Sequence, residues 1–286
     1  MAKVYDAMRR AEEERKRKIG GDVGVETAAP SALPWDEAPS DAGDEPEHAP
    51  FYKRIFKSDG TQTVRDNAND IRKRQISILQ PDSFVAEQFR MLRGRIDSVA
   101  AQRPIHSIAV TSANSNEGKS TSSINLAIVT AMSLERKVLL VDCDMRRPQV
   151  HTTLGVEPSV GLAEVLLERN TLDEAILTVD GLNLDLLPVC LMPSNPSELL
   201  GSVQMRSLLE EVASRYDRVI LDTPATLGLP DSKIVSEVCD GLVMVVRANV
   251  TPREDVHAAL DALDRRRVLG LVLNGVDQSG ERYGYY

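Results

Sequence analysis

The sequence has few of the residues on which several classes of protein depend. Aromatic residues make up only 4% of the 286 positions, and the three cysteines and four histidines are widely scattered. The cysteines form no CxxC pair, so a disulfide framework and a zinc site are disfavoured. The scattered histidines disfavour a histidine-based metal site. No run approaches the ~18 apolar residues of a membrane span, and the first residues lack the apolar core of a secretion signal. We therefore expect a cytoplasmic protein.

Charge is unevenly distributed along the chain. The net charge of −9 argues against binding to nucleic acid by bulk electrostatics. Residues 1–18, in contrast, carry seven basic and four acidic residues, with Val4, Met8 and Ala11 at helical spacing. This pattern predicts a short N-terminal helix. It is either a solvated helix or a docking element for a partner or an anionic membrane face.

The next segment has the composition of a linker. Residues 19–52 hold eight acidic residues, no Lys or Arg, and five of the fifteen prolines, whereas residues 53–74 are basic again. A segment of this composition cannot bury enough apolar area to offset the entropy of ordering it. We predict a disordered linker over 19–75, acidic and proline-rich first and then basic.

The remaining chain up to residue 276 has the pattern of an α/β domain. A helix capped by Asp82 or Ser83 is predicted first, and its apolar stripe comprises Val85, Phe89, Leu92, Ile96 and Val99. Apolar runs then alternate with helical ones, as in a doubly wound, mostly parallel sheet. The predicted strands are Ile105–Val110, Val138–Val141, Leu182–Leu187, Arg218–Leu221, Leu242–Val246 and Leu269–Leu273.

The clearest chemical signal follows the first predicted strand. The stretch from Thr111 to Thr121 reads TSANSNEGKST and leads into a helix, which is the context of a P-loop. In such a loop backbone N–H groups hold phosphates, the lysine neutralises their oxygens and the next hydroxyl ligates Mg²⁺. Ala113 and Asn116 stand where glycines are usual, but asparagine tolerates a positive φ, so the loop can still close. The candidate nucleotide-binding residues are Ser115, Asn116, Glu117, Gly118, Lys119, Ser120 and Thr121.

Two later strands end in carboxylates. Asp142 and Asp144 follow the strand at Val138, and Asp222 follows the strand at Arg218. Ligands of such sheets bind at the carboxyl ends of the strands, and Mg²⁺ prefers one or two carboxylates together with phosphate oxygens. The sequence therefore predicts a Mg²⁺–nucleotide site. Asn274, after the last strand, either contacts a purine base or belongs to an Asn-Gly turn.

The chain ends in a cluster of tyrosines. Tyr283, Tyr285 and Tyr286 are three of only six tyrosines in the chain, and polar residues surround them. They either pack on the body of the protein or serve as phosphoacceptors on a flexible tail over 277–286. The absence of an apolar pattern around them favours phosphoacceptors.

Taken together, these residues resemble the bacterial tyrosine kinases of capsule and exopolysaccharide synthesis, from about Ile78 to Tyr286. The family is a P-loop NTPase of the deviant Walker A, Min/Par-like kind, and its tyrosine-rich tail matches the one here. Ser115 and Asn116 replace the Pro-Gly that is usual in that family. The deviant Walker A, Walker A′ and Walker B motifs match Thr111–Thr121, Val138–Asp144 and Val219–Asp222.

The family's oligomerisation motif, Glu-x-x-Arg-x-x-Arg, matches Glu87, Arg90 and Arg93. At about 100° per residue these three side chains fan over the face of the first helix opposite its apolar stripe. We therefore expect them to be free to meet another subunit in a homo-oligomer.

The resemblance implies a role for each site residue. Lys119 would hold the β- and γ-phosphates of ATP, and Ser120 would hold Mg²⁺. Asp142 and Asp222 would complete the metal shell directly or through water. Asp144 would orient or deprotonate the incoming tyrosine hydroxyl. These residues imply an autokinase that phosphorylates tail tyrosines between subunits.

The resemblance also implies partners. Family members without a membrane span work with a separate transmembrane chain-length regulator, a polysaccharide co-polymerase, whose cytoplasmic end activates them. We accordingly expect a cytoplasmic protein held at the inner face of the plasma membrane by that partner and opposed by a tyrosine phosphatase. Its activity would regulate polysaccharide synthesis and export.

Two other functions stay open. A Par- or Min-type positioning ATPase has the same fold and strand-end carboxylates, with water as the acceptor. Those relatives usually carry an extra lysine near the start of the phosphate loop, and no lysine lies between Thr111 and Gly118. The third possibility is a nucleotide-gated scaffold without turnover, because Asn116 departs from the usual loop.

Overall fold

The computed structural model describes residues 83–133, 136–179 and 181–276. Three sequence-based predictions lie outside these residues, namely the helix over 1–18, the linker over 19–75 and the tyrosine-containing tail over 277–286. The domain predicted over 76–276 is described from Ser83 onward.

A seven-stranded sheet forms the centre of the described chain. Its strands are β1 (Ser107–Ser112), β2 (Val138–Asp142), β3 (Leu177–Val179), β4 (Leu184–Leu187), β5 (Arg218–Asp222), β6 (Gly241–Arg247) and β7 (Val268–Asn274). They lie in the order β3-β4-β2-β5-β1-β6-β7, and neighbouring strands are parallel except β3 and β4, which pair antiparallel. The predicted doubly wound, mostly parallel sheet is therefore confirmed.

The six predicted strands are all present, with bounds that differ from the prediction by one or two residues, and a seventh strand was not predicted. Strand β1 begins and ends two residues later than predicted. It ends later because Thr111 and Ser112 continue its ladder with β6, and the Thr111 hydroxyl donates to the carbonyl of Pro224 at 2.8 Å. Apolar patterning alone misses strand residues whose polar side chains are satisfied in this way. Strand β3 was not predicted, since three residues at a sheet edge are too short to show a period.

Helices cover both faces of the sheet. They are α1 (Phe84–Ala100), α2 (Lys119–Ala131), α3 (Val150–Leu154), α4 (Leu162–Leu166), α5 (Leu172–Ala175), α6 (Pro196–Leu200), α7 (Val203–Arg215), α8 (Asp231–Val238) and α9 (Arg253–Ala262). One apolar core lies against α2, with α1 packed outside it, and the other lies against helices α4 to α9. Helix α2 is buried from Ser122 to Ala131, as expected for a helix between a sheet and another helix.

Helix α1 begins as the sequence predicts. The Ser83 hydroxyl accepts a hydrogen bond from the backbone N–H of Ala86 at 3.1 Å, so Ser83 rather than Asp82 is the cap. Within the described ranges, the helices are too short or too polar to cross a bilayer.

Candidate functional site

The predicted phosphate loop connects β1 to α2. Its last residue, Gly118, has φ 91°, and Asn116 has φ 64°, so both lie in the left-handed region. Asparagine is among the few residues other than glycine that adopt this conformation readily, which is how the loop closes without the usual glycine. Helix α2 then begins at Lys119, so its first backbone N–H groups adjoin the loop.

Asn274 lies against this loop. Its side-chain amide donates to the backbone carbonyl of Glu117 at 2.9 Å, and a Cβ on Gly118 would lie 2.0 Å from the same nitrogen. Glycine at position 118 is favoured by its φ, and a Cβ there would displace the Asn274 amide from the loop. Asn274 ends β7, Gly275 follows it at φ 69°, and the Asn274 side chain supports the loop. Contact between Asn274 and a purine base stays a prediction.

Lys119 forms an ion pair at the mouth of the loop. Its Nζ lies 3.1 Å from Oδ2 of Asp144, and the two side chains are 14% and 8% exposed. Burial lowers the pKa of Lys119, but the carboxylates of Asp222, Asp144 and Asp142 outweigh burial and raise it overall. The lysine is therefore a fixed positive charge beside the loop. The other oxygen of Asp144 accepts from the backbone N–H of Arg147 at 3.0 Å.

Asp142 and Asp222 sit side by side at the ends of β2 and β5. They are partners in the strand register, and both are completely buried. Asp142 accepts from the backbone N–H groups of Asp144 and Val150, at 3.0 and 3.2 Å. Burial and the charge of Asp222 raise the pKa of Asp142 well above its ordinary value. Two adjacent buried carboxylates create a demand for positive charge at this point.

Asp222 has an unused oxygen. Its Oδ1 accepts from the hydroxyl of Ser123 at 2.9 Å, whereas its buried Oδ2 has no hydrogen-bond partner among the described residues. Burial raises the pKa of Asp222 to about 6, against the lowering effects of Lys119, Ser120 and Ser123. An orphaned carboxylate oxygen near the hydroxyl of Ser120 fits a divalent cation.

The donor set fits Mg²⁺ held jointly with phosphates rather than in a protein cage. Among the described residues, no three His, Cys, Asp or Glu side chains are grouped so that they could hold a metal by themselves. Mg²⁺ is commonly held by one or two carboxylates together with substrate phosphates and waters. Ser120 and Asp222 would supply the protein ligands here. Asp142 already accepts two backbone hydrogen bonds, so it would act through water.

The structure adds residues that the sequence analysis missed. Ser123 contacts Asp222, and its position one helical turn after Lys119 could have indicated this. Thr251 and Asp255 contact the phosphate loop from the connection between β6 and α9 and the start of α9. Nothing in the local sequence around these two residues points to the loop.

The predicted oligomerisation residues do not share one environment. Arg90 forms an ion pair with Glu87 on the surface of α1. Arg93 instead donates to the backbone carbonyl of Val129, near the end of α2. The expectation that all three residues face away from their own subunit is therefore wrong for Arg93, because long arginine side chains reach around a helix to unpaired terminal carbonyls.

The tail tyrosines lie outside the described residues, but Tyr216 does not. Its side chain is buried, its hydroxyl donates to Asp185 at 2.7 Å, and Lys137 Nζ lies 4.7 Å from the ring centre. Burial and this hydrogen bond raise the pKa of Tyr216. Tyr216 is thus a structural residue that is closed to phosphorylation in the folded domain.

Comparisons with known proteins agree with this geometry. A family profile described as an AAA domain matches residues 105–264. The tyrosine-protein kinase YwqD of Bacillus subtilis is 37% identical over 78% of this chain and 94% of its own length. The kinase domain of the Escherichia coli tyrosine kinase ETK is 29% identical, with a TM-score of 0.68 over 73% of this chain and 83% of that domain. The chimerical protein CapA2B2 is 32% identical, with a TM-score of 0.67 over 70% of this chain and 89% of its own. The chain therefore belongs to the bacterial tyrosine kinase family and has the fold of a P-loop NTPase.

Proposed function

We propose that the chain is an ATP- and Mg²⁺-dependent protein-tyrosine autokinase that phosphorylates its C-terminal tyrosines between subunits. The observation that carries this proposal is the meeting of Lys119, Asp144 and Asp222 beside the phosphate loop. A cation for phosphate, a carboxylate beside it and an orphaned carboxylate oxygen for a metal are the groups that phosphoryl transfer requires.

Each group has one task in the transfer. The loop N–H groups and Lys119 hold the phosphates of ATP, and Mg²⁺ at Ser120 and Asp222 would supply charge neutralisation. Asp144 takes the proton of the tyrosine hydroxyl. The tyrosine oxygen bonds to the γ-phosphorus, the bond from this phosphorus to the bridging oxygen breaks, and ADP leaves. The protein thus contributes positioning and electrostatic stabilisation rather than covalent chemistry.

The acceptor in this proposal is Tyr283, Tyr285 or Tyr286. Tyr216 is excluded as a rival acceptor by its burial. The names of the relatives favour a kinase over a Par- or Min-type positioning ATPase, and so does the absence of a lysine between Thr111 and Gly118.

The wider setting is proposed from the same family. We expect the kinase to act as a homo-oligomer at the inner face of the plasma membrane, activated by a separate transmembrane polysaccharide co-polymerase. A tyrosine phosphatase would reverse its action, and the cycle would regulate capsule or exopolysaccharide synthesis and export. Asn274 would contact the purine base in addition to supporting the loop.

The test is incubation of the purified chain with Mg²⁺ and γ-labelled ATP, followed by mapping of the label. Label on the tail tyrosines supports the kinase. Free phosphate without labelled protein would identify an ATPase, and bound nucleotide that is neither hydrolysed nor transferred would identify a scaffold. Omission of Mg²⁺ should abolish the labelling.

A further inference from the structure

A buried carboxylate lies inside the phosphate loop. Glu117 is 3% exposed, although it stands between Asn116 and Gly118 in the segment that should face polyphosphate. One carboxylate oxygen accepts from the backbone N–H of Asn114 at 3.1 Å, and the other accepts from the hydroxyl of Thr251. The negative charge of the loop is therefore directed at the connection between β6 and α9.

Thr251 is itself held in place. Its hydroxyl oxygen accepts from the backbone N–H of Arg247 at 2.9 Å, so its hydrogen is left to donate to Glu117. Two further contacts join the same regions. The Asn114 amide donates to Asp255 at 2.8 Å, and the Arg247 guanidinium donates to the carbonyl of Asn116 at 3.4 Å.

The charge of Glu117 matters because of where it sits. A carboxylate is an acceptor only, so it cannot donate to phosphate and repels each phosphate charge that it approaches. The loop binds anions through its N–H groups, and a carboxylate that swung toward them would oppose that binding. The backbone N–H of Asn114 holds only one of the two carboxylate oxygens of Glu117, and the hydroxyl of Thr251 holds the other from outside the loop.

We propose that Thr251 is a positioning residue, which keeps the carboxylate of Glu117 away from the bound phosphates. This proposal rests on the proposed function, because it assumes that the loop binds the phosphates of a nucleotide. It goes beyond it by assigning a part in nucleotide affinity to a residue more than 130 positions away from Glu117. The loss of nucleotide affinity without Thr251 should grow with the number of phosphate charges, since repulsion scales with charge.

The test compares the affinities of a non-hydrolysable ATP analogue and of ADP, each with Mg²⁺, by calorimetry on the full chain. Thr251→Val removes the hydroxyl and keeps the shape of the side chain. Thr251→Ser keeps the hydroxyl. The matched control is Thr178→Val, the same change at an exposed position of β3, at the opposite edge of the sheet from β7. Circular dichroism and thermal unfolding confirm that each variant is folded.

We expect Thr251→Val to bind the triphosphate analogue about tenfold more weakly, the scale of an unpaired buried acceptor, and to lose less affinity for ADP. Thr251→Ser and Thr178→Val should stay close to wild type. Adding Glu117→Gln to Thr251→Val should restore most of the lost affinity in this double variant, because it removes the charge that Thr251 restrains.

Three results would overturn the proposal: unchanged affinity in Thr251→Val, equal losses for the two nucleotides, or no recovery in the double variant. Tyrosine labelling of the wild type is measured in parallel. If the wild type binds nucleotide without labelling tyrosine, the proposed kinase function fails while the affinities still decide the role of Thr251. If the wild type binds no nucleotide, both proposals fail.

Discussion

Lys119 Nζ lies 3.1 Å from Asp144 Oδ2, so the proposed phosphate ligand and the proposed acceptor base are paired with each other. A bound γ-phosphate would compete with Asp144 for this lysine, because both are anions that accept from the same ammonium group. Nucleotide binding would then release the carboxylate for the tyrosine hydroxyl. In the proposed mechanism, the pair would couple the binding of ATP to the release of the base.

The first prediction concerns the lysine. Lys119→Met should abolish tyrosine phosphorylation, since it removes the only charge on the loop that can neutralise phosphate, and the fold should persist. Phosphotransfer is measured with labelled ATP, and folding by circular dichroism. The matched control is Lys233→Met, at an exposed position of α8, which should label as wild type. Wild-type labelling in Lys119→Met would remove the P-loop assignment.

The second prediction separates the base from the nucleotide site. Asp144→Asn keeps the shape of the side chain and removes its charge, so it should lower tyrosine transfer at least about 100-fold, the usual scale for a general base. Nucleotide affinity should not fall, because the neutral asparagine competes less than the carboxylate with the γ-phosphate for Lys119. Single-turnover transfer and calorimetry measure the two effects. A variant that loses affinity and transfer in equal measure would assign Asp144 to nucleotide binding instead.

The third prediction is a pH dependence of stability. The folded pKa of Asp222 is about 6, above its ordinary value of 3.8, because burial disfavours the charge. The folded state therefore binds this proton more tightly than the unfolded chain. The burial of charged Asp222 therefore lowers the free energy of unfolding. This loss is absent below about pH 4 and grows as the pH rises through about 6.

Accordingly, Asp222→Asn should be more stable than wild type at pH 7.5 in EDTA, by on the order of 3 kcal/mol, and about equally stable near pH 4. Denaturant unfolding at both pH values measures the difference. Asp264→Asn is the control of opposite sign. Arg266 lowers the pKa of Asp264 to about 2, so this substitution removes a favourable ion pair and should lower the stability at pH 7.5. A wild type that is the more stable protein at pH 7.5 would contradict the argument. The same Asp222→Asn variant should need more Mg²⁺ for phosphotransfer.

The limits of the sequence are visible in particular residues. Short local motifs mark the phosphate loop and the acidic strand end, so the sequence alone could predict Lys119, Ser120 and Asp222. The hydrogen bond from Thr251 to Glu117 could not be predicted. More than 130 residues separate the two, and no sequence pattern links them. The bond from Arg93 to the end of α2 was missed for a similar reason, since helical periodicity gives the direction of a side chain but not its reach.

The fourth prediction concerns α1, where Glu87 and Arg90 pair on the surface and Arg93 bonds to Val129 of α2. The double variant Glu87→Ala and Arg90→Ala should weaken the homo-oligomer while leaving the subunit nearly as stable, because an exposed ion pair is worth at most about 1 kcal/mol. Arg93→Ala should lower the midpoint of thermal unfolding, since it removes a bond to a carbonyl at a helix end. Sedimentation velocity and thermal unfolding report the two effects. An oligomer that is unchanged in the double variant would leave α1 without a part in assembly.

The last prediction concerns the tail as a switch. Each phosphate adds about −1.5 to −2 charges, so three would add roughly −5 to −6 to a chain whose net charge is −9. If tails reach the active sites of neighbouring subunits, phosphorylation places like charge beside the buried Asp142 and Asp222 and beside bound ATP. Repulsion should then release the tail and loosen the oligomer, so that phosphorylation and assembly alternate.

Changing Tyr283, Tyr285 and Tyr286 to Phe removes only the acceptor hydroxyls and keeps the aromatic surface. We expect this variant to bind ATP as wild type does, to lose most of its autophosphorylation, and to stay oligomeric with ATP present. Tyr216→Phe is the control, because its hydroxyl is buried against Asp185, and it should incorporate as much phosphate as wild type. Incorporation of wild-type amounts by the triple variant would place the acceptors elsewhere, with Tyr5 and Tyr52 as the remaining tyrosines, and the switch would fail.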